Sequence, residues 1–184
     1  MLFRSIQVRV KRSEGSFENL QRLQDPDSGV DIAFVQSGST DLANSERAGL
    51  VSLGSLFVEP VWIFYRSGIK LDHLRDLRGL KINVGPPGTG VPQLFEKLLA
   101  ANGVAAKRVK LTEMENTPAT VALLAGKIDG MVFSSAAEGL LIQMLLQTPG
   151  IRLFNFPQAE AYARRFPFLS AVRLPKGKIG RAHV

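Results

Sequence analysis

The stretch INVGPPGTGVPQLFEKLL, residues 82–99, joins a strand-like run to a Gly/Pro turn and then to a helix with apolar residues at helical spacing. From Gly85 to Gly90 the glycine spacing fits a phosphate-cradling loop, but Val91 and Pro92 stand where that loop needs Lys and then Ser or Thr. The groups that would hold nucleotide phosphates and magnesium are therefore missing. What remains is a helix start whose free amides suit a small anion such as a carboxylate, or else simply a tight turn between a strand and a helix.

Composition bounds the classes of partner. The chain has 184 residues, 45% of them hydrophobic, and a net charge of +7, which is enough for one globular domain or two small ones. The basic runs at 9–12, 107–110 and 164–165 are separated by neutral or mixed stretches. A nucleic-acid surface usually shows a basic stripe with interleaved aromatic residues, so we expect no nucleic-acid partner but a surface that attracts small anions.

Cysteine is absent and there are only two histidines, His73 and His183. Thiolate chemistry is excluded, and a histidine-based metal site or a Ser-His-Asp triad is disfavoured. We therefore expect no catalytic residue, no metal, no cofactor and no enzyme activity. The sequence contains neither an apolar run of about 20 residues nor a signal peptide, so any export signal or anchor would lie outside this chain.

Strand-like and helix-like segments alternate along the chain, which predicts βαβ units and an α/β fold with a mostly parallel sheet. Ser16 is a candidate N-cap of the first helix, and Pro60 should start, bulge or edge its strand. The predicted strands cover 5–10, 30–38, 50–56, 57–67, 81–84, 108–114, 127–135 and 151–156. The predicted helices lie within 13–25, 40–49, 91–101, 118–126 and 136–150, with a shorter one of about one and a half turns within 69–79.

Ligands of open parallel sheets bind beyond the carboxyl ends of the strands. At those positions the sequence places small or hydrogen-bonding residues and no obvious base, nucleophile or metal ligand, which favours capture of a molecule over chemistry. Each serine alone could equally serve its own turn, and Glu59 could contact a ligand or pair with an arginine. The candidates are Gln36, Ser37, the turn 85–90, Ser134, Ser135, and the loop-to-helix start with Ser16 and Asn19.

Several segments, in their order, resemble the TAXI solute receptors, the extracytoplasmic binding subunits of one class of TRAP transporter. The resemblance covers about residues 13–177 and rests mainly on GVDIAFVQSG (29–38), GPPGTG (85–90), AGKIDG (125–130) and FPFLSAVRLPKG (166–177). It implies a type II periplasmic-binding-protein fold, in which two α/β lobes joined by crossing strands hold a small organic acid, often a dicarboxylate or an amino acid.

The resemblance also implies a domain division and a site. Residues 1–66 would form a partial first lobe with its hinge crossing, 67–160 the second lobe, 161–177 the return segment, and 178–184 a tail. Ligand contacts are implied for Ser16, Asn19, Gln36, Ser37, Gly88, Thr89 and Gly90, and strand-end position adds Ser134.

This chain departs from the family pattern at two places. Gly38 stands where members often carry Asp, and nothing before residue 5 supplies the first strand and the Gly-rich loop. We therefore expect a fragment without its first βα unit, whose exposed sheet edge invites homodimerisation.

The leading functional hypothesis is a periplasmic or membrane-anchored protein that captures a small organic anion for the membrane permease subunits of a TRAP transporter. The alternative is the ligand-sensing effector domain of a LysR-type regulator, which shares this fold. A third hypothesis, a pyrimidine-precursor synthase of the same superfamily, would need a His or Cys at a strand end, and none is present.

Overall fold

A computed structural model describes residues 7–39 and 49–174. Within those ranges, ten helices and strands alternate through most of the chain, with three short 3-10 helices between them. The helices are α1 (Ser16–Gln24), α2 (Val91–Ala101), α3 (Asn116–Leu124), α4 (Leu140–Gln147) and α5 (Ala159–Arg165); the strands are β1 (Val61–Arg66), β2 (Lys81–Asn83), β3 (Lys110–Thr112), β4 (Gly130–Ser134) and β5 (Ile151–Leu153); the 3-10 helices are Pro26–Ser28, Leu74–Leu77 and Ala106–Arg108.

The five strands form one sheet in the order β3-β2-β4-β1-β5. β2 pairs in parallel with β3 and β4, whereas β1 runs antiparallel to both of its neighbours, β4 and β5. The sheet is therefore mixed rather than mostly parallel as predicted, because β1 enters from the opposite end. The first residue of β1, Val61, pairs with Ser134 at the end of β4.

Alternating side chains of β1 enter two separate hydrophobic clusters. Ile63 and Tyr65 belong to a cluster with residues of α2, and Trp62 and Phe64 belong to one with residues of α3 and α4. Successive strand residues point to opposite faces of a sheet, so helices cover both faces of this one. The predicted α/β class is confirmed.

The elements with the strongest local sequence signals were predicted well. α2 has the predicted bounds, and β1 begins at the residue after Pro60, whose carbonyl accepts from the Ser135 amide at 3.3 Å. Helices α3 and α4 and strands β2 to β5 fall within or near their predicted segments, although α3 begins at Asn116, two residues before Pro118. The short helix α5 was not predicted.

Three predicted strands are wrong. Residues 7–10, 30–38 and 50–56 form no ladder; residues 5 and 6 of the first segment, and most of the predicted helix at 40–49, lie outside the described ranges. Apolar residues in all three segments are exposed, for example Val10 at 89%, Ile32 at 74% and Val51 at 81%. Alternation makes a strand only where a neighbouring strand pairs with its amides and carbonyls, and these segments have no such neighbour among the described residues.

Within the described ranges, no helix is both long enough and apolar enough to cross a membrane.

Candidate functional site

The turn between β2 and α2 lies at the edge of the sheet where the parallel strands β2 and β4 end. Gly90 is the N-cap of α2, and its carbonyl accepts the first helical bond from the Leu94 amide at 3.2 Å. Pro92 has no N–H, so the amides of Val91 and Gln93 are the donors that the first turn of the helix leaves without a helical partner. Thr89 closes the turn, since its amide and its hydroxyl both donate to the Pro86 carbonyl, at 3.1 and 2.9 Å.

The start of α1 packs against this turn. The Phe17 amide donates to the Gly88 carbonyl at 3.3 Å, and a Cβ built on Gly15 would lie 2.6 Å from that same oxygen. Gly15 rather than Ser16 is the N-cap, so the predicted cap is wrong. The Ser16 hydroxyl instead accepts from the Gln36 amide at 2.8 Å, which commits it to a contact between segments.

Glu18 holds the entrance to α1 in place. Its carboxylate accepts from the Glu14 amide at 2.6 Å and pairs with the Arg22 guanidinium. The backbone hydrogen bond from Glu14, followed by the charge of Arg22, lowers the pKa of Glu18. The residues that precede α1 are thereby fixed next to the turn.

Residues 36–39 cover the start of α2. A Cβ built on Gly90 would collide with the side chains of Gln36 and Ser39, so these two side chains fill the space beside the helix start. Ser39 is 8% exposed, and its hydroxyl donates to the Gln36 carbonyl at 2.7 Å. In this arrangement, a ligand that binds the amides at the helix start has to displace the Gln36 side chain.

The side-chain amide of Gln36 connects three segments of the chain. Its Nε2 donates to Ser134 Oγ at 2.7 Å and lies 3.3 Å from Glu59 Oε2. Glu59 precedes β1 and Ser134 ends β4, and the antiparallel pairing of these strands brings both to the edge where the turn lies. Contacts from four separate parts of the chain therefore meet around Gln36.

One cation lies beside this group. Lys97 Nζ donates to the Gly38 carbonyl at 2.7 Å and sits 5.5 Å from the centroid of the Phe168 ring, which packs against Gly38. Phe168 belongs to residues 161–177, the return segment that the TAXI resemblance implies. The segment 36–39 is thus held between α2 and a residue near the end of the described chain.

The structure brings six of the eight predicted site residues together, as described above. Asn19 lies on α1 and donates from Nδ2 to the Phe34 carbonyl at 2.8 Å, outside this group. Ser37 stands apart because it is exposed in the turn after Gln36. Ser39 and Lys97 were missed, and neither has a local sequence signal, since their contacts lie 51 and 59 positions away at Gly90 and Gly38. The six are Ser16, Gln36, Gly88, Thr89, Gly90 and Ser134.

Among the residues that the structure describes, no ion pair joins Glu59 to an arginine; Arg66 pairs instead with Asp129 at 3.8 Å. Although Glu59 as a residue is exposed, its carboxyl lies against the Gln36 amide, and partial burial of the carboxyl raises its pKa. Burial disfavours the charged form, so the folded protein retains this proton to a higher pH than the unfolded chain does.

This shift predicts a pH-dependent effect of Glu59→Gln on stability. The protonated Glu59 carboxyl stabilises the folded protein fully at pH values below the pKa that this group has in the unfolded chain. This contribution is lost as pH rises through the higher pKa that the group has in the folded protein. At pH 7 we therefore expect Glu59→Gln to increase the free energy of unfolding slightly, by up to about 0.5 kcal/mol, as is usual for a partly exposed site. Urea unfolding at pH 7 and near pH 3 measures this gain, which should disappear at the lower pH.

Glu138→Gln is the matched control, because Glu138 is exposed and lies outside this group of residues. A loss of stability at pH 7 for Glu59→Gln would show that the contact of the charged carboxylate with Gln36 outweighs its desolvation.

The chemistry available at this edge is hydrogen bonding. The contacting groups are amides, hydroxyls, one carboxyl and one ammonium, and no nucleophile is held by a base among them. Within the described residues there is no group of three or more His, Asp or Glu placed to hold a metal ion. Such a set of groups can bind and orient a small polar molecule.

The fold and these contacts define an α/β protein with a polar cluster at the carboxyl edge of its sheet. The model of the NMT1-like family matches residues 2–182, so the chain belongs to that family.

Several solved structures show a partial likeness to the chain. The alkanesulfonate-binding protein SsuA from Xanthomonas axonopodis pv. citri bound to MOPS is 20% identical with a TM-score of 0.46, over 59% of this chain and 40% of that one. The periplasmic aliphatic sulphonate binding protein SsuA from Escherichia coli is 18% identical with a TM-score of 0.46, over 59% and 41%. An ancestral arginine-binding protein bound to arginine is 22% identical with a TM-score of 0.40, over 54% and 42%. The chain thus spans about two fifths of the length of these proteins.

Proposed function

We propose that this chain is part of an extracytoplasmic solute-binding protein that captures a small organic anion, a dicarboxylate or an amino acid, for a TRAP-type secondary transporter. The observation that carries the proposal is the meeting of residues 14–19, residues 36–39 and Ser134 around the turn 85–90. The sequence resemblance to the TAXI receptors adds the transporter class.

The proposed binding mode starts from the helix start. The free amides of Val91 and Gln93 and the positive end of the α2 dipole suit a carboxylate, and Lys97 on the same helix adds positive charge. The Gln36 side chain, which now fills this space, moves aside for the ligand and closes on it with its own amide. Ser16, Asn19, Ser37, Gly88, Thr89 and Ser134 form the proposed remainder of the site.

The domain division follows the same reasoning. In the proposed arrangement, residues 1–66 contribute to one lobe and its hinge crossing, residues 67–160 form the other lobe, and residues 161–177 return to the first. The ligand lies between the lobes, so its binding draws residues 14–39 and the turn 85–90 together.

Isothermal titration calorimetry of this chain with a panel of dicarboxylates and amino acids tests the proposal. We expect saturable binding of at least one compound, and a loss of affinity of about tenfold or more in Gln36→Ala, as for one lost polar contact of about 1.4 kcal/mol. Gln21→Ala is the matched control, because Gln21 is an exposed residue of α1. A panel without any binder, or equal losses in the two variants, would contradict the proposal.

The transporter class has its own test. A gene for a large TRAP membrane subunit beside this one supports the receptor, whereas a winged-helix segment encoded upstream in the same reading frame supports the regulator instead.

A further inference from the structure

Two stretches of the chain, 75–81 and 107–110, pair with each other and carry six exposed basic residues, which together we call the basic face. The basic face consists of Arg75, Arg78, Lys81, Lys107, Arg108 and Lys110.

Backbone pairing between the two stretches creates this surface. The Gly79 amide donates to the Arg108 carbonyl at 2.7 Å, and the Lys110 amide donates to the Leu80 carbonyl at 2.8 Å. Arg78 and Arg108 consequently border one open groove of about 610 Å³. In the sequence, these residues show only a short basic run at 107–110. The fold places the basic residues of the stretch 75–81 beside that run.

The basic face carries unfavourable charge contacts that the fold does not relieve. Lys81 and Lys110 are direct partners in the parallel ladder of β2 and β3, and like charges in that position repel. None of the ion pairs formed between described residues includes a member of the basic face.

Two carboxylates beside the basic face already have partners. Asp76 accepts from the backbone amides of Asp72 and His73, at 3.1 and 2.8 Å. Asp129 accepts from the Lys81 amide at 2.8 Å and lies 3.8 Å from the Arg66 guanidinium. Asp76 also interacts with the charge of Arg75. The other five members of the basic face belong to no ion pair between described residues, so their positive charge remains available to an external anion.

The basic face and the candidate functional site lie at opposite ends of the same strands. Lys81 and Lys110 are the first residues of β2 and β3, whereas the turn 85–90 follows the last residue of β2. A partner on the basic face would leave the candidate site open.

The composition of the basic face indicates the kind of partner. Neither stretch, 75–81 or 107–110, contains an aromatic residue, although protein interfaces and single-stranded nucleic-acid surfaces rely on aromatic contacts. An array of lipid headgroups is fluid and needs charge rather than a complementary shape. Clusters of four to eight Lys and Arg residues bind anionic lipid surfaces through roughly additive contributions.

We propose that the basic face docks this protein on a bilayer surface that contains anionic phospholipid. Docking in this orientation holds the candidate functional site away from the lipid and confines the protein to the plane of the membrane. The interaction is independent of the solute and goes beyond the proposed function.

Vesicle sedimentation tests this docking. We expect the protein to bind vesicles with about one third phosphatidylglycerol in phosphatidylcholine, to ignore pure phosphatidylcholine, and to release at about 0.5 M salt, where charge interactions are screened. The joint substitution Arg78→Gln, Lys81→Gln, Arg108→Gln and Lys110→Gln should lower vesicle affinity at least tenfold.

The matched control has Arg9→Gln, Arg12→Gln, Arg152→Gln and Arg164→Gln. All four residues are exposed, and Arg152 lies on β5 at the opposite edge of the sheet from β3. Both variants lose four positive charges, from +7 to +3, so they separate the basic face from net charge. The control should bind vesicles within about threefold of the parent, because distant charges are largely screened.

Three results would overturn the proposal. The first is the absence of binding to anionic vesicles, even if the protein binds duplex DNA or an acidic protein. The second is an equal loss of vesicle affinity in the two variants. The third is release from vesicles by inorganic phosphate at constant ionic strength, which would indicate a site for one phosphate. If the fourfold variant unfolds by circular dichroism, Arg78→Gln and Lys110→Gln are measured singly, with about fivefold expected for each.

Discussion

Gly15→Ala is expected to release the start of α1 from the turn 85–90 and to abolish the contacts of the candidate site. Gly15 has φ of 146° and ψ of −161°, a combination that is essentially restricted to glycine. A Cβ there would also lie 2.6 Å from the Gly88 carbonyl oxygen and 3.1 Å from Thr89 Cα. Both are backbone atoms, so no side-chain rotation relieves the collision.

Hydrogen exchange measures this effect directly. The Phe17 amide bonds to Gly88 and the Gln36 amide bonds to Ser16, so both should exchange about 100-fold faster in Gly15→Ala, which corresponds to a local loss of about 3 kcal/mol. Amides of β1 and β4 should keep their protection, since the sheet does not depend on this contact. Solute affinity, if the proposed function holds, should fall in parallel.

Gly54→Ala is the control substitution, because it introduces similar backbone strain at a position where the added Cβ collides with nothing. Gly54 has φ of 142°, close to that of Gly15, but a Cβ there meets nothing within 4 Å. It should therefore leave the exchange of Phe17 and Gln36 unchanged. Equal effects of the two substitutions would show that residues 14–19 are not held by the turn.

Local sequence signals account for the parts of the fold that local interactions determine. The turn at Gly85 to Gly90 and the helix after it were predictable because Gly, Pro and apolar spacing act over a few residues. Pro60 allowed a strand start, a bulge or an edge within the predicted strand 57–67, and β1 begins directly after it, at Val61.

Signals that need a distant partner failed. Residues 30–38 and 50–56 have the composition of strands, yet neither pairs with another strand in the part of the chain that the structure describes. A strand is completed by a neighbour that its own sequence does not specify. The direction of β1 was also beyond reach, since periodicity is the same for parallel and antiparallel strands. The mixed sheet therefore emerged only from the pairing of β1 with β4 and β5.

The candidate site divides in the same way. Strand-end position identified Ser134 and the glycine turn, because the carboxyl ends of parallel strands share one edge. It also indicated Gln36, but residues 30–38 form no strand, and Gln36 reaches this edge through its contacts with Ser16 and Ser134 instead. Ser39, which fills the space at Gly90, follows no strand end and resembles any turn serine. Its role depends on a contact across 51 positions, and only the folded chain reveals it.

Asn83 stabilises the edge of the sheet from which the glycine turn starts. It is fully buried at the end of β2, where its Nδ2 donates to the Met114 carbonyl at 3.0 Å. Its Oδ1 accepts from the Met114 amide at 2.7 Å and from the Thr112 hydroxyl at 3.1 Å. One side chain thus fixes the residues that follow β3 against the strand that leads into the glycine turn.

Asn83→Ala is expected to lower the free energy of unfolding by about 3 kcal/mol. The substitution leaves both the amide and the carbonyl of Met114 without their side-chain partner, and a buried polar group without a partner costs roughly 1 to 3 kcal/mol. Urea unfolding at pH 7 measures the loss. Thr112→Val is the control, with less than about 1 kcal/mol expected, because Oδ1 keeps its bond from the Met114 amide.

Asn83→Asp distinguishes the hydrogen bonds from simple packing, because it preserves volume and one acceptor. At pH 7 the introduced carboxylate is buried and faces the Met114 carbonyl, so the loss should be at least that of Asn83→Ala. Burial raises the pKa of this carboxyl in the folded state, and its protonated form can donate to the Met114 carbonyl. The stabilising protonation is present at low pH and is lost as pH rises through the raised pKa, so part of the stability should return on acidification. A loss that stayed constant with pH, or that was equal in Thr112→Val, would mean that Asn83 contributes only by filling space.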